Sequence, residues 1–166
     1  SSFLGENSKN GVGYIITIGE YAKSIAINAE NFDRVLDDFQ HRFRRLEGAT
    51  NVTDAVFEGI RILKQDSTWI KHQICLFMFT DGQPNTSSRV TRGYGQDNYE
   101  TDAKSAMDEL ATYLREHVPN QMQSACVMCV NRLNPWVTHW STVLNVTDVP
   151  SYETFLHAPN FQTSSD

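Results

Sequence analysis

Ile74-Cys75-Leu76-Phe77-Met78-Phe79-Thr80-Asp81-Gly82 is an apolar run that stops abruptly at an acid and a glycine. An unbroken apolar run of this length is typical of a parallel strand that is buried on both faces. Asp81 is therefore predicted to lie at the carboxyl end of such a strand, which is the edge where open α/β sheets bind ligands. A carboxylate held at that edge is a suitable ligand for a divalent cation.

The segments around this strand alternate between strand and helix patterns. Short apolar runs at 12–18 and 22–27 flank a Gly-Glu-Tyr turn and predict an antiparallel hairpin. The remaining patterns predict helices at 31–46, 53–64, 101–117 and 136–144, strands at 125–130 and near Val146, and a helical turn at 151–156. This order predicts an α/β fold of the doubly wound, three-layer kind, in which a mostly parallel sheet has one antiparallel edge strand.

Length and composition indicate one folded domain over residues 1–166. The net charge is −6 and the basic residues are scattered apart from Arg42, Arg44 and Arg45, so we expect no nucleic-acid partner. No apolar run approaches the roughly 20 residues that span a bilayer, so no membrane span is predicted in this chain. The polar amino terminus does not resemble a signal peptide.

The cysteines are expected to be buried free thiols. Cys126 and Cys129 form a CxxC sequence, but they lie in the run that is predicted to be a strand. Residues three apart on a strand have Cα atoms ~10 Å apart and point to opposite faces, whereas a disulfide requires less than ~7 Å. Cys75, on a neighbouring strand, is expected to pair with at most one of them.

A second polar segment, Gly48-Ala49-Thr50-Asn51-Val52-Thr53-Asp54-Ala55, precedes the helix predicted at 53–64. Thr53 as the N-cap, or Asp54 in the first turn, would stabilise that helix by ~1 kcal/mol, so capping is an alternative to a binding role for both residues. Thr50 lies before the helix and is the better candidate for a ligand. The polar loop predicted at 83–100 follows Asp81 and is expected to be a functional surface beside it.

These two segments resemble the von Willebrand factor type A domain, also called the integrin I-like domain. In that family the first motif reads G-G-T-N-T-G-x-A-L, which is similar to 48–55, and the second is a hydrophobic strand ending T-D-G, which is similar to 76–82. Residues 10–16 are similar to the family's second strand, and residues 145–156 to its closing strand and last helix. The resemblance covers nearly the whole chain.

The resemblance implies a metal-ion-dependent adhesion site. In the family, an Asp-x-Ser-x-Ser motif, a threonine and an aspartate from three loops bind Mg²⁺, and Mn²⁺ or Ca²⁺ suits the same oxygen ligands. By position in the motifs, Thr50 is the threonine and Asp81 is the aspartate. The cation keeps one position open for an acidic side chain of a partner. The implied function is a non-enzymatic, extracellular or secreted adhesion module that binds a protein ligand or a matrix component.

The chain departs from the family at its N-terminal side. No Asp-x-Ser-x-Ser occurs in the sequence, although Ser1-Ser2-Phe3-Leu4-Gly5 is similar to the end of that motif, with Ser2 as its last serine. The helix that follows the motif in the family is missing as well. In the family's sheet, of order 3-2-1-4-5-6, the missing first strand lies in the middle. We therefore expect a domain that is truncated or incomplete on its N-terminal side, with a neighbouring segment or another chain supplying that strand.

Two alternatives remain for the function. The first is a structural or matrix module of the same fold that binds without a metal, which the missing serine motif favours. The second is a hydrolase or phosphatase, but Phe79 occupies the position of the nucleophile in an Asp-x-Asp-Gly phosphatase motif, and no nucleophile elbow is present.

Three glycosylation sequons, which begin at Asn51, Asn85 and Asn145, suit an extracellular chain. A glycan on Asn51 would lie directly beside Thr50 and obstruct the predicted site. We therefore expect Asn51 to be unoccupied if this site binds partners.

Overall fold

The computed structural model describes residues 12–42, 49–66, 74–80, 83–88, 95–117, 122–129, 135–144 and 147–149. In chain order these residues form β1 (Val12–Ile16), β2 (Ser24–Asn28), α1 (Phe32–Arg42), α2 (Val52–Gln65), β3 (Ile74–Thr80), α3 (Gln96–His117), β4 (Met122–Cys129), α4 (Pro135–Leu144) and β5 (Thr147–Val149). The chain therefore has the α/β character expected from its sequence. A three-layer fold built on one mostly parallel sheet remains a prediction, because the described strands form two separate sheets.

The first sheet is the predicted hairpin. β1 and β2 pair antiparallel, with Val12 opposite Asn28 and Ile16 opposite Ser24. Gly13 lies opposite Ile27, and a Cβ atom at Gly13 would come within 2.9 Å of Cγ1 of Ile27. Glycine therefore permits the close packing of these two strands.

The second sheet contains β3, β4 and β5 in that order, and both pairs of neighbours are parallel. The apolar run that begins at Ile74 is thus a strand with a parallel neighbour, as predicted. β4 includes the CxxC sequence in extended backbone, where Cys126 is the Cα partner of Phe77 and Cys129 is that of Thr80.

The helices agree with the predicted ones except at the start of α3. The pattern predicts a helix from residue 101, but α3 begins at Gln96, so the predicted loop 83–100 is too long. Gly95 accepts a hydrogen bond from the Asn98 backbone N–H at 3.1 Å, which closes the first turn. Apolar spacing misses this turn because Asn98 is exposed and the segment 96–100 is largely polar. The predicted extension of α1 to Leu46 and the turn at 151–156 lie outside the described residues.

The described core lies where α2 and α3 pack on β3 and α4. Burial of apolar surface is the main force that joins these elements. The buried residues of this cluster are Val52, Val56, Ile60, Met78, Ala103, Ala106, Met107, Leu110, Leu114 and Trp140. In the described part of the chain, no helix is both long and apolar enough to cross a membrane.

Met107 offers a test of this core, because its side chain is fully buried between these elements. We expect Met107→Ala to lower the free energy of unfolding by about 2–5 kcal/mol through lost burial and a residual cavity. Ser105→Ala, at an exposed position of the same helix, should change it by less than about 0.5 kcal/mol. Urea denaturation measures both values, and equal effects of the two substitutions would contradict the packing described above.

Candidate functional site

Two loops that are distant in sequence meet at the N-terminal end of α2. The Thr50 backbone N–H donates a hydrogen bond to Oδ1 of Asn85 at 2.7 Å. The Asn85 backbone N–H donates in return to the Thr50 carbonyl oxygen at 3.0 Å. Both bonds use the backbone of Thr50, so they hold this residue in place without engaging its hydroxyl. The loop before α2 is thereby joined to the loop that follows β3.

A second contact strengthens this junction. The Ser88 hydroxyl donates to Oδ1 of Asp54 at 2.9 Å, and the Ser88 backbone N–H lies 3.2 Å from Oδ2 of Asp54. Asp54 lies in the first turn of α2, as one of the sequence alternatives predicts, where the helix dipole favours a negative charge. Hydrogen bonds to a charged carboxylate are stronger than those between neutral groups. Asp54 therefore serves both the helix and the neighbouring loop.

Asn51 is the N-cap of α2, and the prediction that Thr53 takes this role is wrong. Oδ1 of Asn51 accepts the Asp54 backbone N–H at 3.0 Å, and Nδ2 donates to Oδ2 of Asp54 at 2.7 Å and to the Glu20 carbonyl at 3.3 Å. Thr53 lies inside the helix and is fully buried, and its hydroxyl has no partner among the described residues. The signal for Asn51 was present in the sequence, since asparagine is a preferred N-cap residue.

The structure describes one of the three predicted metal ligands, Thr50. Thr50 lies at the junction of the two loops and is partly buried. Asp81 and Ser2 lie outside the described residues. Within the described ranges, no group of three or more His, Cys, Asp and Glu side chains could hold a metal ion. The structure thus brings Thr50 to the loop that comes after Asp81 in the chain, and the full ligand set stays a prediction.

A groove of about 460 Å³ lies beside this junction. It is formed by residues from the turn of the hairpin, from α2 and from the loop after β3, namely Tyr21, Ala22, Asp54, Phe57, Glu58, Arg61 and Ser88. Tyr21 is 67% exposed, and tyrosine is a residue type that is enriched at protein interfaces. The groove was not foreseen from the sequence because its residues come from separate segments.

Two charged side chains of this groove, Glu58 and Arg61, pair with each other. Nε of Arg61 donates to Oε2 of Glu58 at 2.7 Å, and the Ser24 hydroxyl donates to Oε1 of Glu58 at 2.6 Å. The hydrogen bond from Arg61, followed by that from Ser24, lowers the pKa of Glu58 below its ordinary value, although partial burial opposes the shift. The Ser24 contact also links α2 to β2. The pair therefore fixes the wall of the groove next to the two loops.

The N-cap is tested by removing its side chain. We expect Asn51→Ala to lower the free energy of unfolding by about 1–2 kcal/mol, because the Asp54 N–H loses its acceptor at the start of α2. Asn98→Ala is the matched control, since Asn98 is exposed and its described bond to Gly95 uses only the backbone. Thermal and chemical denaturation measure both. An Asn51→Ala protein as stable as the control would contradict the capping role.

The Glu58–Arg61 pair predicts a pH dependence. A carboxyl group whose pKa is lowered by folding stabilises the folded state above its unfolded pKa, and this stabilisation is lost as the pH falls through the folded pKa. From about pH 6 to about pH 3, the wild type should therefore lose more stability than Glu58→Gln, by no more than about 1 kcal/mol because the pair is near solvent. Glu109→Gln, an exposed position on α3, is the control. If the wild type and Glu58→Gln lose the same stability over this pH range, the lowered pKa of Glu58 is contradicted.

Comparison with known proteins adds no assignment to this geometry. No family model, no curated protein and no solved structure matches the chain. The functional interpretation therefore depends on the two sequence motifs, 48–55 and 76–82, and on one contact. That contact joins Thr50 of the first motif to Asn85, in the loop that follows the second motif.

Proposed function

We propose that this chain is a von Willebrand factor A-like interaction module. It binds an acidic side chain of a partner protein through a divalent cation at the loops around Thr50. The observation that carries the proposal is the pair of hydrogen bonds between Thr50 and Asn85. A metal site with ligands from two loops requires those loops to meet, and the loop that meets Thr50 is the one that follows β3 and Asp81 in the chain.

The order of the strands supports the family assignment. In the family's sheet order, strands 3 and 2 correspond to β2 and β1, and strands 4, 5 and 6 correspond to β3, β4 and β5. The described strands form these two groups with these neighbours. They are the two parts that remain when the middle strand of the family's sheet is left out. The proposal therefore includes a further strand between β1 and β3, which would join them into one three-layer domain.

The chemistry of the candidate ligands suits a hard cation. Thr50 offers a hydroxyl, Asp81 a carboxylate and Ser2 a second hydroxyl, and Mg²⁺, Mn²⁺ and Ca²⁺ all prefer such oxygen ligands. The backbone of Thr50 is held by Asn85, and the two bonds between these residues leave the Thr50 hydroxyl unengaged. The cation supplies the bond to the partner's carboxylate. The groove beside Tyr21 offers further contact area for that partner.

A metal-independent structural or matrix module of the same fold is the second candidate. The bonds between Thr50 and Asn85, and between Asp54 and Ser88, connect the two loops directly through protein groups. A surface whose loops are joined in this way has a defined shape without a cation. Both candidates place the protein outside the cell, and both the glycosylation sequons and a matrix partner are consistent with that location.

Thermal stability measured against Mg²⁺ concentration separates the two candidates. If the site binds Mg²⁺, the free energy of unfolding should rise with Mg²⁺ concentration, by about 2.7 kcal/mol at 100 times the dissociation constant. Thr50→Ala and Asp81→Asn should each abolish the increase, because each removes one ligand. Thr112→Ala, which removes an exposed hydroxyl on α3, should retain it.

Chelation with EDTA should reverse the increase in the wild type. No increase in a chain that also carries the missing first strand would refute the metal-dependent function and favour the metal-independent module. An increase that survives in both ligand variants would mean that the cation binds elsewhere.

A further inference from the structure

The hydroxyl of Thr53 is a buried polar group that the fold described above does not use. Thr53 is 0% exposed, and its Oγ1 atom has no hydrogen-bond partner among the described residues. Burying a hydroxyl without a hydrogen bond costs free energy, because the group gives up its bonds to water and gains none in return. An unpaired hydroxyl of this kind indicates a partner that the described protein groups do not supply.

Thr53 lies at the same end of α2 as the proposed cation site. It is in the first turn of the helix, three residues after Thr50. The Cα–Cβ bonds of an α-helix tilt toward its N-terminus, so the Thr53 side chain leans toward the end where Thr50 lies. This end is closed to solvent, since Asn51 is 1% exposed and Val52 is 0% exposed. The hydroxyl is therefore enclosed beside the loops that are proposed to bind the cation.

The neighbouring side chains at this end have partners within the protein. The Asn51 side chain bonds to Asp54 and to the Glu20 carbonyl, and the Asp54 carboxylate also accepts from Ser88. The bonds that hold the Thr50 backbone leave its hydroxyl unengaged. The hydroxyls of Thr50 and Thr53 are thus both available to a ligand at the start of α2.

A second unpaired group provides a comparison. Nε1 of Trp140, a residue that is 3% exposed, also has no hydrogen-bond partner in the described part of the chain. Trp140 belongs to the apolar core and lies on α4, which carries none of the candidate ligands. The position of Thr53 beside Thr50, in addition to its burial, is therefore what connects its hydroxyl with the cation site.

We propose that Thr53 is a positioning residue of this cation site, an inference that rests on the proposed function. When Mg²⁺ is bound at the loops around Thr50, the Thr53 hydroxyl donates a hydrogen bond to one of the oxygen ligands of the cation and holds it in place. Ligands of protein-bound metals are commonly oriented by such outer hydrogen bonds. The family motif G-G-T-N-T-G-x-A-L has a glycine at the position of Thr53, so the family's own ligand set does not include this hydroxyl.

The proposal gives the hydroxyl opposite effects in the absence and presence of Mg²⁺. Without the cation, the hydroxyl is buried and unpaired, so it lowers the stability of the folded state. With the cation, it is paired and contributes to the affinity for Mg²⁺. Thr53→Val replaces the hydroxyl with a methyl group of similar size and therefore separates the two effects. A hydroxyl with a purely structural role would not affect the affinity.

The test compares the wild type, Thr53→Val and Thr53→Ser. Without Mg²⁺, we expect the melting temperature of Thr53→Val to equal or exceed that of the wild type. Isothermal titration calorimetry with MgCl₂, in a chain that also carries the missing first strand, should show about 10–100-fold weaker binding by Thr53→Val. Thr53→Ser is the matched control, because it retains the hydroxyl, and it should bind Mg²⁺ as the wild type does.

Three results would overturn the inference while the wild type still binds Mg²⁺ and the proposed function stands. The first is equal affinity of Thr53→Val and the wild type. The second is Thr53→Ser binding as weakly as Thr53→Val, which would assign the effect to the lost methyl group. The third is a lower melting temperature of Thr53→Val without Mg²⁺, which would mean that the hydroxyl already has a structural partner. A wild type that does not bind Mg²⁺ would refute the proposed function and this inference together.

Discussion

The contact between the start of α2 and the loop after β3 is the interaction on which the rest of the candidate site depends. Thr50 and Asn85 exchange two hydrogen bonds, and Asp54 binds Ser88 a few residues further along. The partners are 35 and 34 residues apart in the chain, so only the packed fold brings them together. This contact joins the loop before α2 directly to the loop after β3.

Helix α2 is the element that makes this contact possible. Its apolar face, with Val52, Val56 and Ile60, is buried in the core against α3. Its first turn carries the N-cap Asn51 and the carboxylate of Asp54, which organise the polar groups at its end. Burial along the helix thus determines where its polar end lies. A loss of packing in the core is expected to disturb the loops as well.

Much of the architecture could be predicted from the sequence because it is local. The apolar run at β3, the hairpin of β1 and β2, and the helix period of α2 each appear in a short segment, and the structure confirms all three. The first turn of α3 could not be predicted from apolar spacing, since the segment 96–100 is largely polar. The choice of Asn51 over Thr53 as the cap depends on backbone geometry, which the sequence pattern leaves open.

The sequence by itself determined the α/β class, the strand β3 and the motif positions of Thr50 and Asp81, because these follow from residue type and short-range spacing. The tertiary structure alone decided that Thr50 lies against Asn85, that Asp54 holds Ser88, and that Asn51 is buried while Asn85 is exposed. The groove beside Tyr21 is likewise a product of the fold. These features depend on the meeting of distant segments, and the burial of the core holds those segments in place.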